Sequence, residues 1–138
     1  VPAGSRALLH GDITNVILGA FYSVYSELGF GFLEAVYINA LVFVLKSAQL
    51  RVDRQVPFDI HFRGQLIGQY RADLVIQKRV VVEVKTGKAI VHQHSAQLLN
   101  YLKASRLEVG LLLHFGDKPA FRRVVLTRND PRQSASSV

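Results

Sequence analysis

Between positions 12 and 28 apolar residues recur at the three-four spacing of a helix. Ile13, Val16, Ile17, Ala20, Phe21, Val24 and Leu28 fall on one face. Asp12 fits the N-cap of this helix and Gly29 the residue just past its end. Gly29-Phe30-Gly31 then interrupts the pattern. A second helix is predicted over 32–49. There Leu33, Val36, Tyr37, Ala40, Leu41, Val44, Leu45 and Ala48 make an apolar face so wide that the helix should be largely buried.

From position 51 the period changes to two, with Val56, Phe58, Ile60 and Phe62 alternating with other residues as in a strand. Arg63-Gly64 is a turn signal, and 66–76 reads as the next strand. Gln77-Lys78-Arg79 is polar and can turn. Residues 80–86 make a third strand rich in β-branched side chains, ended by Gly87. Residues 92–105 predict a third helix, with Ala96, Leu98, Leu99 and Leu102 apolar. The almost wholly apolar run 109–115 suits a central buried strand. An edge strand is predicted over 121–126. The order α, α, β, β, β, α, β, β predicts an α/β (α+β) fold, a mixed sheet flanked by helices.

The length of 138 residues fits one domain, placed at 11–127. Val1-Pro2-Ala3-Gly4-Ser5 resembles a cleaved-tag remnant, and 1–10 is expected to be a disordered lead. The Ser-rich stretch 128–138 is expected to be a disordered tail. At 49% hydrophobic and 20% charged, the chain has material for a real core. No apolar run approaches the roughly 20 residues that span a bilayer, so no membrane role is expected. The absence of cysteine excludes disulfides, a thiol nucleophile, thiolate zinc and iron–sulfur clusters, and suits a cytoplasmic protein. Seventeen Lys and Arg against ten Asp and Glu give a net charge of +7, which attracts polyanions such as nucleic acid.

The chemistry concentrates in Tyr70-Arg71-Ala72-Asp73 and, ten positions on from Asp73, Glu83-Val84-Lys85. Strand alternation puts Glu83 and Lys85 on one face. A hairpin turning around Lys78 sets Asp73 opposite Glu83, and paired residues across a ladder sit about 5 Å apart. Two carboxylates that close repel unless a cation lies between them. Mg²⁺, hard and oxygen-seeking, suits such a pair, and Lys85 could orient water or stabilise transition-state charge on a phosphate. The plainer alternative makes Glu83 and Lys85 ordinary solvated strand charges. Against it, Val80-Val81-Val82 runs straight into them. Glu34 is a second anomaly: it falls within the apolar face of the second helix, where a carboxylate either snorkels, caps the preceding loop or ligates a metal, directly or through water. Gln97 and Tyr101 lie four apart and share a helical face, reaching the site or serving as surface and core. His92 and His94 are not at a helical ligand spacing, so zinc is not expected. No Ser-His-Asp signature, phosphate-cradling Gly-rich loop or dinucleotide fingerprint is present.

Gly31-Phe32-Leu33-Glu34-Ala35-Val36-Tyr37 matches the G-x-x-E-x-x-Y signature of the GxxExxY family, which is assigned to the PD-(D/E)XK nuclease superfamily. The resemblance continues through Leu28-Gly29, Gln55-Val56-Pro57, Tyr70-Arg71-Ala72-Asp73-Leu74, Val82-Glu83-Val84-Lys85, His94 with Gln97-Leu98-Leu99-Asn100-Tyr101-Leu102-Lys103, and Val109-Gly110-Leu111-Leu112 through Phe115-Gly116. It spans roughly residues 11 to 126. It implies a restriction-endonuclease-like core with Asp73 and Glu83 as metal ligands, Lys85 as the catalytic lysine, Glu34 completing the site, and Gln97 and Tyr101 in support. The chain departs from the pattern at Phe30, where proline is frequent.

The function expected is hydrolysis of phosphodiester bonds with Mg²⁺ or Mn²⁺, in DNA in preference to RNA. Arg71, Lys88 and Lys103 are candidate phosphate contacts. The alternatives are a non-catalytic nucleic-acid-binding module, or an accessory or oligomerisation module on the same fold. A homodimer or a protein partner is compatible with so compact a chain. An exposed apolar patch on the first helix would favour the accessory role.

Overall fold

The computed structural model describes residues 9–127. The expectations for 1–8 and 128–138 lie outside the described residues. The element order is α1 (Gly11–Leu28), α2 (Glu34–Ser47), β1 (Val52–Phe62), β2 (Gln65–Ile76), β3 (Val80–Thr86), α3 (His92–Ser105), β4 (Val109–Phe115) and β5 (Pro119–Val125). The five strands form one sheet in sequence order. Every pairing is antiparallel except β3 with β4, which are parallel and joined through α3. This is the mixed α+β sheet that the pattern predicts. Among the described residues no helix is long and apolar enough to cross a membrane.

Alternation along the strands builds two cores. Val80, Val82 and Val84 of β3 and Leu111, Leu113 and Phe115 of β4 face α1 and α2, where they meet Ile17, Phe21, Tyr37, Leu41 and Leu45. Val81 and Leu112 face the other way, under Leu98 and Leu102 of α3. β4 is buried along its whole length, as its unbroken apolar run requires of a strand paired on both sides and covered on both faces.

The helix boundaries carry two corrections. Asp12 is not the N-cap of α1. His10 is, in the left-handed region at φ 55°, and Asp12 sits in the first turn. The carboxylate still lies where the helix dipole favours it. Gly29 does close α1, at φ 69°, its N–H donating to Tyr25 O at 2.8 Å. The second correction concerns α2, which is not largely buried. Tyr37, Ile38, Leu41, Val42 and Leu45 form its inner face, while Leu33, Val36 and Phe43 stay exposed. Only one side of the helix meets the sheet, so apolar content overstated its burial.

Two hairpins set the geometry around the acidic residues. Arg63 and Gly64, both at positive φ, make the tight turn between β1 and β2. Between β2 and β3, Gln77 and Lys78 adopt φ 55° and 54°, unusual for residues with a Cβ. The Gln77 side chain accepts from the Arg51 N–H at 2.6 Å, and its own N–H donates to Arg51 O at 2.9 Å, which holds the turn against that strain. The resulting register pairs Ile76 with Val80, Val75 with Val81 and Leu74 with Val82.

Candidate active site and metal centre

The β2–β3 ladder stops at Leu74–Val82, one step before Asp73 and Glu83. Beyond it β2 continues paired only with β1, and β3 only with β4, so the sheet divides at this point. The backbone of β1 and β2 changes phase here as well. Gln55 of β1 stands at φ 50° with no ladder partner, opposite Asp73, while the register continues unshifted from Arg54–Leu74 to Val56–Ala72. On one side of it Leu74 and Ile76 face α1 and α2. On the other, Ala72 and Tyr70 face α3.

At the division side-chain carboxylates take over from backbone acceptors. The Asp73 N–H donates to Glu83 Oε2 at 2.9 Å, and the Val84 N–H donates to Asp73 Oδ2 at 2.9 Å. The hairpin centred on Lys78 therefore brings the two acids together as the spacing predicts. Glu83 is only 8% exposed. Burial, and then the Asp73 charge beside it, push its carboxyl up to about 7. Lys85 follows on the same face, half-buried, paired with His114 of β4. Among the described residues the sole ion pair is Arg51–Asp53, so the Lys85 ammonium is not tied to either acid.

An aromatic column walls the site on the α3 side. Phe58 of β1 stacks on Tyr70 at 6.2 Å, and Tyr70 on Tyr101 of α3 at 3.3 Å. The Tyr70 hydroxyl is buried and feels the Glu83 charge, yet makes no hydrogen bond of regular geometry. Burial and then the Glu83 charge raise the pKa of both tyrosines, so both stay phenols. Tyr101 thus stacks on Tyr70 within the field of Glu83 without bonding either acid, while Gln97, one turn earlier, is exposed.

The donor chemistry fits a hard divalent cation. Each carboxylate commits one oxygen to a backbone N–H and has another to offer. A buried acid whose charge is suppressed by its neighbour is what an oxygen-ligated cation and its waters would relieve. The three-carboxylate set is a different matter. Among the described residues no three His, Cys, Asp or Glu side chains are grouped to hold one metal ion. Glu34 does not join Asp73 and Glu83 in such a set, because it is the first residue of α2 and half-buried at the end of the loop from α1.

That loop has its own support. The Tyr37 hydroxyl donates to Gly29 O at 2.7 Å and accepts from the Phe32 N–H at 3.3 Å. Its ring stacks on Phe115 at 4.0 Å. The G-x-x-E-x-x-Y spacing is thus a local device: tyrosine one turn inside the helix ties down the loop that presents the glutamate.

A model of the PD-(D/E)XK nuclease superfamily matches residues 11–124. This chain belongs to the PD-(D/E)XK nuclease superfamily. The crystal structure of SSO0001 is similar to this superfamily member, with a TM-score of 0.56 at 23% identity, over 75% of this chain and 55% of that one. The chain thus spans about half the length of that protein, and the likeness is one of fold. No curated protein matches.

Sequence reasoning missed three features of the site. Tyr70 lies three residues before Asp73, where regular alternation sends it to the opposite face; only the phase change beside Gln55 brings it in. His114 sits in an apolar run, buried, its Nε2–H donating to Gly87 O at 3.0 Å. Its pairing with Lys85 depends on the β3–β4 register, which no local pattern encodes. Third, Phe30 and Phe32 line a cleft of about 590 Å³ with Thr86, Gly87, Lys88, Phe115, Gly116 and Asp117. The basic candidates are dispersed: Lys88 on this cleft, Lys103 on a groove beside Asp59 and His61, and Arg71 exposed on β2.

Proposed function

We propose that this chain is a divalent-metal-dependent nuclease that hydrolyses phosphodiester bonds in DNA. The observation that carries the reading is the Asp73–Glu83 pair at the division of the sheet, with an unpaired Lys85 on the same face. Asp73 and Glu83 would hold Mg²⁺ or Mn²⁺, and Glu34 would assist through water. Bound there, the cation would polarise a phosphate oxygen and ease the deprotonation of water. Lys85 supplies positive charge where the phosphate becomes more negative in the transition state, or orients the attacking water. Tyr101 keeps its proton, and with Gln97 it would donate a hydrogen bond to a metal-bound water or a phosphate. Arg71, Lys88 and Lys103 contact phosphates, in keeping with the +7 charge.

The reading includes membership of the GxxExxY branch of the superfamily, supported by the way Tyr37 fixes the loop before Glu34. The test is incubation with labelled linear, circular and single-stranded DNA, and with RNA, under Mg²⁺, Mn²⁺ or EDTA, beside Asp73→Ala. Cleavage that needs the metal and disappears in the variant supports the proposal. Absence of cleavage, with salt-sensitive DNA binding that Asp73→Ala leaves intact or tightens, replaces it with a binding module.

A further inference from the structure

The cleft at the end of β3, lined by Thr86, Gly87 and Lys88, has the features of a nucleobase site. Its mouth carries two aromatic rings that the core does not cover: Phe30 is 63% exposed and Phe32 47%. An exposed ring on a slack loop would mean little, but this loop is held. Tyr37 bonds both sides of Gly31, at Gly29 O and the Phe32 N–H, and the Phe32 ring meets Tyr37 edge-on at 6.0 Å. Gly31 itself stands at φ 110°, a backbone state that glycine adopts freely. A loop backbone fixed before binding, as it is on both sides of Phe30 and Gly31, loses little freedom on binding.

The rest of the lining includes backbone at Gly87 and Gly116. Gly87 has open space where a Cβ would stand, and its carbonyl oxygen lies 3.0 Å from where a Gly116 Cβ would be. A flat ring can therefore come close. The charges sort a nucleotide by its parts. Lys88 on the rim attracts a phosphate, while Asp117 repels one and can accept from an exocyclic amino group of a base. Thr86 of the same lining directly follows Lys85, about 3.3 Å further along the strand, and pairs with Phe115 on the opposite face of the sheet from Glu83 and Lys85. The cleft thus begins at the end of β3, one residue past the proposed catalytic lysine.

We propose that this cleft receives an unstacked base of single-stranded DNA, stacked on Phe30, with Lys88 on the adjoining phosphate. The proposal deepens the nuclease reading and rests on it for the choice of nucleic acid. It selects single-stranded segments, overhangs or frayed ends over blunt duplex, because a paired base is not free to leave its stack.

The test is fluorescence anisotropy of the full chain in EDTA, where no metal-dependent cutting intervenes. The probes are a short labelled oligodeoxycytidylate, whose bases carry an exocyclic amino group, and a blunt hairpin duplex. Phe30→Ala and Phe30→Leu should each weaken single-strand binding about tenfold, the order expected for one stacked base, and Phe30→Tyr should retain it. Duplex binding should change by less than about twofold in all three. Unaltered melting temperatures would show that the exposed position leaves the fold intact. Equal losses on both probes, no loss on either, or a leucine variant as good as tyrosine would overturn the proposal, the last because leucine keeps the apolar surface and lacks the flat ring. If the wild type cuts nothing while the ring-dependent single-strand preference holds, the nuclease reading fails and the base site stands. If metal-dependent cleavage is present and Phe30 is indifferent in binding, the nuclease reading stands and the base site fails.

Discussion

Asp73 and Glu83 are held together by backbone N–H groups: the Asp73 N–H donates to the Glu83 carboxylate, and the Val84 N–H to the Asp73 carboxylate. The two acids are thereby fixed a step beyond the last rung of the β2–β3 ladder, where repulsion alone would part them.

That arrangement makes the metal-free protein sensitive to pH. Glu83 is pushed up to about 7, above its unfolded value of 4.5, so the folded state binds the proton more tightly. Its contribution is fully present below about 4.5 and is lost as pH rises through about 7. The loss is at most about 3 kcal/mol, by the free energy of one pKa unit. Urea melts in EDTA between pH 5 and pH 8, on the order of that window, should show the decline. Glu83→Gln should flatten it, and Mg²⁺ should restore stability at the upper end. A profile identical in wild type and Glu83→Gln would remove this acid from the account.

Replacing Asp73 separates fold from chemistry. Asp73→Ala leaves the buried-side Val84 N–H without its acceptor and should cost about 1–3 kcal/mol, offset in part by relief of Glu83. Asp73→Asn keeps an acceptor at that position and should melt near the wild type. Cleavage should be lost in both, and retention in Asp73→Asn would argue against a ligand role.

Tyr37→Phe keeps the stack on Phe115 and removes the two hydrogen bonds to the loop before α2. The expected cost is about 1–2 kcal/mol. If the loop presents Glu34 to the site, cleavage should fall by more than that loss explains. Amide exchange should speed up at Phe32 and not in β4. Unchanged exchange at Phe32 would show that the hydroxyl does not hold the loop.

Gly116 has no room for a side chain, since a Cβ there would run into the His114 ring and crowd Gly87 O. Gly116→Ala should therefore break the His114–Gly87 bond and destabilise by about 1–3 kcal/mol. Gly19→Ala, where nothing lies within 4 Å, should be neutral or slightly stabilising. Equal melting of the two variants would contradict the packing at His114.

Hydrophobic periodicity alone determined the order of the elements, because burying one face imposes period two on Val56, Phe58 and Ile60 and the three-four spacing on Ile13, Ile17, Phe21 and Val24. It also determined that Asp73 faces Glu83, since a short turn at Gln77-Lys78-Arg79 leaves little choice of register. Capping was less legible: Asp12 looked like an N-cap, and His10 holds that place through a backbone state that composition does not reveal. Tertiary structure decided what lies around the pair. The change of phase at Gln55 turned Tyr70 towards Glu83, and the parallel pairing of β3 with β4 set His114 beside Lys85. The packing of the loop before α2 on Tyr37 left Glu34 outside a three-acid cluster. Each of these depends on contacts between segments distant in the chain or on one residue's left-handed backbone, and a repeating pattern of polar and apolar residues carries neither.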